Sequence, residues 1–123
     1  MMMSDAAMPD PRGDRTRARN AEHEAREDLR RRGFSVLRSC ETDAPVHLVA
    51  WQLTGGILLI RVVATRRAID GAADVTALWR DDIDRLRALP IPAYCEIHIW
   101  VSTDRKGWHR YLVLPGGIAE AVV

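Results

Sequence analysis

The segment from Ala44 to Ile69 contains no aspartate or glutamate. Its ionisable side chains are His47, Arg61, Arg66 and Arg67. Two apolar runs, 46–53 and 57–65, flank a short link that contains two glycines, a pattern typical of a β-hairpin. Because both runs are almost continuously apolar, we expect both faces of this hairpin to be covered. Arg61 lies within the second run, and a buried guanidinium is costly without a partner. The fold must therefore supply one.

Composition sets the broad class of protein. A chain of 123 residues with 47% hydrophobic residues is long enough to form one domain with its own core. The formal net charge of +1 excludes a strongly basic surface as a global property, so any contact with nucleic acid requires local clustering of positive charge. No apolar run is long enough to span a membrane, and the Met-rich start is followed by Asp and Pro rather than an apolar signal core. We predict a cytoplasmic protein.

The two cysteines, Cys40 and Cys95, are far apart in sequence and lack Cys-x-x-Cys spacing. This arrangement favours free thiols in a reducing compartment, with a single disulfide as the alternative.

Hydrophobic periodicity predicts the remaining elements. Residues 1–14 have no period and are predicted to form a flexible tail, followed by one domain over 15–123. The first helix is predicted over 15–32. Strands are expected at 34–38, 46–53, 57–65, 94–101 and 111–114, and a second helix at 74–88. The predicted order is α-β-β-β-α-β-β, an α/β domain with a central mixed sheet flanked by helices.

Two carboxylates fall within the apolar stripes of the predicted helices. Glu22 lies close to Ala18 and Leu29 on the helical wheel, so it points inward or bends from the edge of the stripe into water. Asp82 lies within the stripe of the second helix and ranks second to Glu22 as a partner for Arg61.

Four segments together resemble the PD-(D/E)XK nuclease superfamily, and are most similar to its archaeal Holliday junction resolvase branch. They are the helix with Glu22, the strand opened by Gly33-Phe34, and the two runs Pro45-Val46-His47-Leu48-Val49-Ala50 and Leu59-Ile60-Arg61-Val62-Val63. The resemblance extends from about Ala21 to Leu114 and depends on element order and apolar pattern more than on identities. It implies a restriction-endonuclease-like core and a homodimer, for which the Trp-bearing strands offer an apolar interface.

The resemblance also implies that the catalytic set is degenerate. These nucleases carry a Glu on the first helix, an Asp at the start of strand two, and an acid-x-Lys on strand three. The matching positions here are Glu22, His47, Arg61 and Val63. Magnesium prefers hard oxygen ligands, so we expect no metal, no cofactor and no catalytic residue at this position. Relocated ligands would have to come from distant acids such as Glu41, Asp43 or Glu96.

The substituted positions leave two explanations open. In the first, Arg61 and Glu22 form a structural ion pair that holds the helix to the sheet. In the second, the arginines form a surface that binds phosphate without cleavage chemistry. Nucleic-acid-binding candidates are Arg61, Arg66, Arg67, Arg105 and Lys106. Arg66 and Arg67 can equally be a solvated strand end, and His47 a core histidine.

These alternatives translate into three possible functions. The favoured one is a catalytically inactive nuclease-fold protein that binds duplex or branched DNA. The alternatives are a structural or protein-interaction subunit, and an active endonuclease with relocated ligands.

One further strand has a chemically suggestive face. Glu96, His98 and Trp100 alternate on one side of the predicted strand 94–101 and could line a pocket. Too few additional ligands accompany them to predict a metal site.

Overall fold

The structure is a computed structural model, and it describes residues 11–41, 43–104 and 107–123. Its helices and strands are α1 (Pro11–Arg31), β1 (Ser35–Arg38), β2 (Leu48–Trp51), β3 (Ile57–Thr65), α2 (Ala72–Leu78), α3 (Arg80–Arg87), β4 (Cys95–Thr103), β5 (Gly107–Leu114) and β6 (Gly117–Glu120). None of the helices in these ranges is both long enough and apolar enough to cross a membrane. Cys40 and Cys95 are not joined to each other.

The six strands form one mixed sheet in the order β1-β2-β3-β4-β5-β6. β3 and β4 are parallel, with Ile57 opposite Cys95 and Thr65 opposite Thr103, and all other neighbours are antiparallel. The chain between β3 and β4 contains α2 and α3, which is the crossover that a parallel pair needs. The predicted α/β class, the mixed sheet and the hairpin of β2 and β3 are confirmed.

Each face of the sheet has its own apolar core. On one face α1 packs Ala21, Ala25 and Leu29 against the even-numbered residues of β3 and against Trp100. On the other face α2 and α3 pack against the odd-numbered side of β3, including Val63, and against β4 and β5. Because side chains alternate along a strand, residues of β3 one apart belong to opposite cores. The expected coverage of both faces is confirmed for β3, whereas β2 is buried only on the side that faces α1.

Both predicted helices differ in their bounds from the structure. The first begins at Pro11, so residues 11–14 are helical rather than part of the predicted tail. Proline is accepted in the first turn of a helix, where its missing N–H would have no partner. The second helix is divided at Trp79, whose φ of −126° is not helical. The Trp79 N–H still donates to Val75 O at 3.0 Å, so the division is a bend rather than a separation.

The strands also differ from the prediction at their ends. β2 is shorter than predicted, because its regular pairing with β3 begins at Leu48 and ends at Trp51. β5 begins at Gly107, and β6, absent from the predicted order, pairs with it antiparallel. β6 was missed because Gly117-Ile118-Ala119-Glu120 is too short to show a strand pattern by itself.

The β2–β3 link is tied to the start of β4 at Gly56. The Ile57 N–H donates to Tyr94 O at 3.1 Å, and a Cβ at Gly56 would lie 2.3 Å from the same carbonyl oxygen. Only glycine allows so close an approach of two backbone segments.

Candidate functional site

The Arg61 guanidinium binds the connection before β2 and a carboxylate of α3. Its Nη1 donates to Pro45 O at 3.1 Å and lies 3.4 Å from Ala44 O, and its Nη2 lies 3.3 Å from Asp82 Oδ1. The side chain is 18% exposed. The ion pair predicted between Arg61 and Glu22 is therefore wrong, and the second-ranked partner, Asp82, is the observed one.

The sidedness of β3 explains this outcome. Arg61 has an odd number and points to the face covered by α2 and α3, whereas Glu22 belongs to α1 on the opposite face. Glu22 is turned inward, which is one of the two orientations left open by the sequence, and its side chain is only 16% exposed, but its Oε1 accepts a bond from Arg38 Nε at 2.7 Å. The two charges that the sequence suggested as partners are separated by the sheet.

Arg61 and Arg85 together hold the connection between β1 and β2. Arg85 Nη2 donates to Asp43 O at 3.1 Å, next to the carbonyls that Arg61 binds. Two guanidinium groups thus satisfy backbone oxygens of residues 43–45, which form no strand. Arg61 Nε is buried and has no hydrogen-bond partner among the described residues.

His47 ends the pairing of β2 with β3. Its Nδ1 accepts a hydrogen bond from the Val62 N–H at 2.9 Å, which extends the ladder by a side chain where β2 no longer follows β3. Burial lowers the pKa of His47, and the nearby Arg61 guanidinium lowers it further, against opposing effects of Glu22 and Asp82. An accepting Nδ1 must be unprotonated, so the geometry and the pKa both favour the neutral imidazole.

The four positions that match the nuclease set do not form a set of oxygen ligands. Glu22 binds Arg38, His47 binds a backbone N–H, Arg61 binds Asp82, and Val63 is buried in the core under α2 and α3. Within the described ranges, no three His, Cys, Asp or Glu side chains lie close enough together to hold a metal ion. These four side chains are thus engaged in ion pairs, a hydrogen bond and core packing.

Glu22 lines a small cavity of about 130 Å³. The lining residues are Arg19, Glu22, His23, Arg26 and Arg38. Arg26 Nη2 lies 3.1 Å from His23 Nδ1, and Arg26 Nε is buried without a hydrogen-bond partner in the described part of the chain. Three guanidinium groups around one carboxylate leave the cavity positively charged.

Sequence reasoning missed Arg19, Arg26 and Arg38 as residues of this site. The helical spacing of Arg19, Glu22 and Arg26 was a usable signal, because residues three and four apart share a helix face. Arg38 could not be added from sequence, since its place beside Glu22 depends on how β1 packs against α1.

The other predicted basic residues lie elsewhere. Arg66 and Arg67 directly follow β3, are exposed, and lie within 4.0 Å of no carboxylate in the described ranges. They do not line the cavity at Glu22. Arg105 and Lys106, the predicted hairpin tip, lie outside the described residues.

The face of β4 that carries Glu96, His98 and Trp100 has a structural role. His98 is 1% exposed, its Nδ1 accepts from Trp100 Nε1 at 3.2 Å, and its Nε2 lies 3.0 Å from Glu96 Oε1. Burial lowers the pKa of His98, while the hydrogen bond to Glu96 opposes that shift. Because both ring nitrogens are engaged, His98 has no lone pair left for a metal.

A second charged cluster, centred on Asp28, joins α1 to β5. Its carboxylate lies 3.1 Å from Arg110 Nη2 and 3.2 Å from both Arg31 Nη2 and Arg32 Nε. Arg110 is stacked over Trp100 at 4.6 Å from the ring centroid. Burial, and then the positive charge of Arg32, lower the pKa of Arg110. The helical spacing of Asp28, Arg31 and Arg32 was a usable signal for part of this cluster, whereas Arg110 is 82 residues away in the chain and could not be added from sequence.

Comparison with known proteins now decides the fold. No protein-family model matches the chain, and no curated protein matches it. Among solved structures it is similar to Hjc, a Holliday junction resolvase from Archaeoglobus fulgidus, with a TM-score of 0.58 and 18% sequence identity. The match covers 78% of this chain and 72% of the resolvase chain. The chain has a resolvase-like nuclease fold. The predicted restriction-endonuclease-like core is thereby confirmed, and the low identity limits this conclusion to the fold.

Proposed function

We propose that this nuclease-fold chain binds nucleic acid, as duplex or branched DNA, without metal-dependent cleavage. The observation that carries the proposal is the cavity at Glu22, the one position of the nuclease set that keeps its acid. Arginines surround that acid in place of further carboxylates. Such a site attracts phosphate and does not attract a divalent cation.

The charges of the cavity favour a phosphate ligand. Arg19, Arg26 and Arg38 contribute three positive charges against the single negative charge of Glu22, and Arg19 is exposed. The bond from Arg38 to Glu22 comes from Nε, and the Arg38 side chain is 52% exposed, so its terminal nitrogens can still donate to a phosphate oxygen. Phosphate contacts of this kind supply affinity for a nucleic-acid backbone without reading its sequence.

Arg66 and Arg67 are the second group of the proposed surface. They are exposed at the carboxyl end of β3 and lack a carboxylate partner within the described ranges. Arg61 is left out, because its guanidinium is bound to Asp82 and to the carbonyls before β2.

The test is a salt titration of binding to labelled duplex and four-way DNA, followed by fluorescence anisotropy. Each lost phosphate contact flattens the slope of log K against log[salt] by about 0.9, so R19A/R26A should flatten it by about 1.8. Between 50 and 200 mM salt, the affinity of this variant should therefore fall about 12-fold less than that of the wild type. R66A/R67A should act in the same direction.

The matched control is R30A/R31A, which removes the same charge from the last turn of α1, where both arginines pair with acids of the same helix. A salt slope changed equally by R30A/R31A would show only general electrostatic attraction and would overturn the proposed site. Wild-type affinity no greater than that of a charge-matched unrelated protein would overturn DNA binding itself.

Cleavage is tested separately with the same DNA in the presence of Mg²⁺ or Mn²⁺. We expect intact DNA, since the cavity offers a single carboxylate. Metal-dependent cleavage that is abolished by Glu22→Gln would overturn the non-catalytic part of the proposal.

A further inference from the structure

β1 is an edge strand of the sheet with a large apolar side chain in the open. Among the described strands it pairs only with β2, and Leu37, in its middle, is 61% exposed. Leu37 continues a cross-strand row with Val49 and Leu59. This row lies on the face where α2 and α3 pack mainly over β4, β5 and β6, so none of the three described helices covers its outer end.

The hydrogen-bonding direction of β1 follows from one bond and the register. The Ser39 N–H donates to His47 O at 2.8 Å, and Leu37 lies opposite Val49. Since backbone groups alternate sides along an antiparallel strand, Leu37 also turns its N–H and C=O toward β2. The backbone groups of Val36 and Arg38 therefore point outward, away from the sheet.

We propose that a second copy of this chain pairs with β1 along this edge, antiparallel, on a two-fold axis at Leu37. In that register each Val36 lies opposite Arg38 of the other copy, and all four outward N–H groups find an outward carbonyl. An edge strand is self-complementary about such an axis, which is the symmetry that closed dimers use.

Side chains select this register over its neighbours. Shifting the axis to Arg38 would place two guanidinium groups opposite each other, and shifting it to Val36 would leave both Arg38 backbones outside the paired segment. With the axis at Leu37, the two leucines meet at a non-hydrogen-bonded position, where Cα atoms are about 4.5 Å apart and side chains are closest. Arg38 does not obstruct the approach, because its side chain is held on the α1 face by Glu22.

This contact gives the expected homodimer a specific surface and does not require that the chain bind DNA. It also differs from the Trp-bearing strands suggested by the sequence, since Trp100 is completely buried within its own chain.

Disulfide trapping tests the register. In a Cys40→Ser/Cys95→Ser background, Leu37→Cys should give a disulfide-linked dimer under mild oxidation, because the paired positions meet the Cα separation that a disulfide needs. Ser35→Cys is the matched control on the same strand and face. Its two copies would lie about 14 Å apart, four residues along an antiparallel pair, so it should stay monomeric on a non-reducing gel. Equal cross-linking of both variants, or none of Leu37→Cys, would overturn the proposed pairing.

Sedimentation equilibrium tests the association without cysteines. The wild type should approach twice the chain mass of 13.9 kDa, and Leu37→Lys should return it to the monomer by placing two charges at the axis. Leu53→Lys, at a completely exposed leucine outside β1, should leave the dimer intact. A wild type that stays monomeric up to hundreds of micromolar, or a dimer that survives Leu37→Lys, would refute the inference. Circular dichroism should show that both variants are folded.

Discussion

Replacing Arg61 with methionine tests whether this arginine holds the connection before β2. The substitution keeps most of the apolar stem and removes the bonds to Pro45 O and Ala44 O and the ion pair with Asp82. A hydrogen bond from a charged donor contributes about 1.5–3 kcal/mol, and the 3.4 Å contact to Ala44 adds little at that length. The ion pair is partly exposed, 18% and 26% for its two side chains, so solvent screening limits it to about 0.5–1 kcal/mol.

We therefore expect Arg61→Met to lower the free energy of unfolding by about 2–4 kcal/mol, which corresponds to roughly 10 °C in Tm for a domain of this size. Urea denaturation followed by circular dichroism measures the change, provided that the m-value stays constant. The free energy of unfolding of Arg61→Lys should lie between those of the wild type and Arg61→Met, since an ammonium can pair with Asp82 but cannot also bridge to two carbonyls.

The matched control is Arg66→Met, an exposed arginine five residues further along, which should change stability by less than about 0.5 kcal/mol. An Arg61→Met protein as stable as this control would refute the structural role of Arg61. If that variant also bound DNA with a flatter salt slope while fully folded, Arg61 would belong to the binding surface instead.

Three further changes have defined outcomes. Burial lowers the pKa of His47 in the folded state, so on acidification below about pH 6.5 this imidazole is protonated in the unfolded chain before it is protonated in the folded chain. The contribution of neutral His47 to stability is therefore lost as the pH falls from 7 to 5. Urea midpoints of His47→Asn, whose side chain can still accept a backbone N–H, should fall less over this range than those of the wild type, and an equal fall would contradict this role of His47. Gly56→Ala should lower the free energy of unfolding by about 1–3 kcal/mol, because the new Cβ would clash with a backbone carbonyl. Gly55→Ala, which meets no neighbouring atom but has a positive φ of 101°, should be less destabilising. A smaller loss for Gly56→Ala than for Gly55→Ala would contradict this expectation. Asp28→Asn should lower stability by about 1–2 kcal/mol in thermal melts, as three arginines lose a shared carboxylate; an unchanged Tm would show that they are solvated.

The sequence determined the centre of the fold well because its signal there is strong. The bounds predicted for β3, Ile57 to Thr65, are those observed, since a long apolar run after a glycine link has few alternatives. The inward face of α1 was also predicted correctly, because Ala21, Ala25 and Leu29 repeat at helical spacing and are all buried. Short elements such as β6 gave no such signal.

The charge pairs were harder to predict for a physical reason. Periodicity shows that Arg61 is on one face of a strand and that Glu22 is on the inner face of a helix. It does not show which face of the sheet the helix covers. If α1 covered the other face of the sheet, Glu22 rather than Asp82 would lie on the side of Arg61. Asp82, the observed partner, satisfies the same helical pattern as Glu22, so the sequence alone could rank the two but could not decide between them.

The observed ion pairs show how this chain neutralises Glu22 and Asp82. Carboxylates gathered around one point repel each other unless a divalent cation neutralises them. Here the two acids are separated by the sheet, and each has its own guanidinium partner: Arg38 pairs with Glu22 of α1, and Arg61 pairs with Asp82 of α3. The negative charges of both acids raise the pKa of His47, but burial and Arg61 lower it, and the imidazole is neutral as the acceptor of a backbone hydrogen bond. Each of these two acids is thus paired without a metal, so a single acid introduced at position 61 would not create a metal site. It would instead remove the partner of Asp82, add a second carboxylate beside it, and destabilise the connection that Arg61 holds.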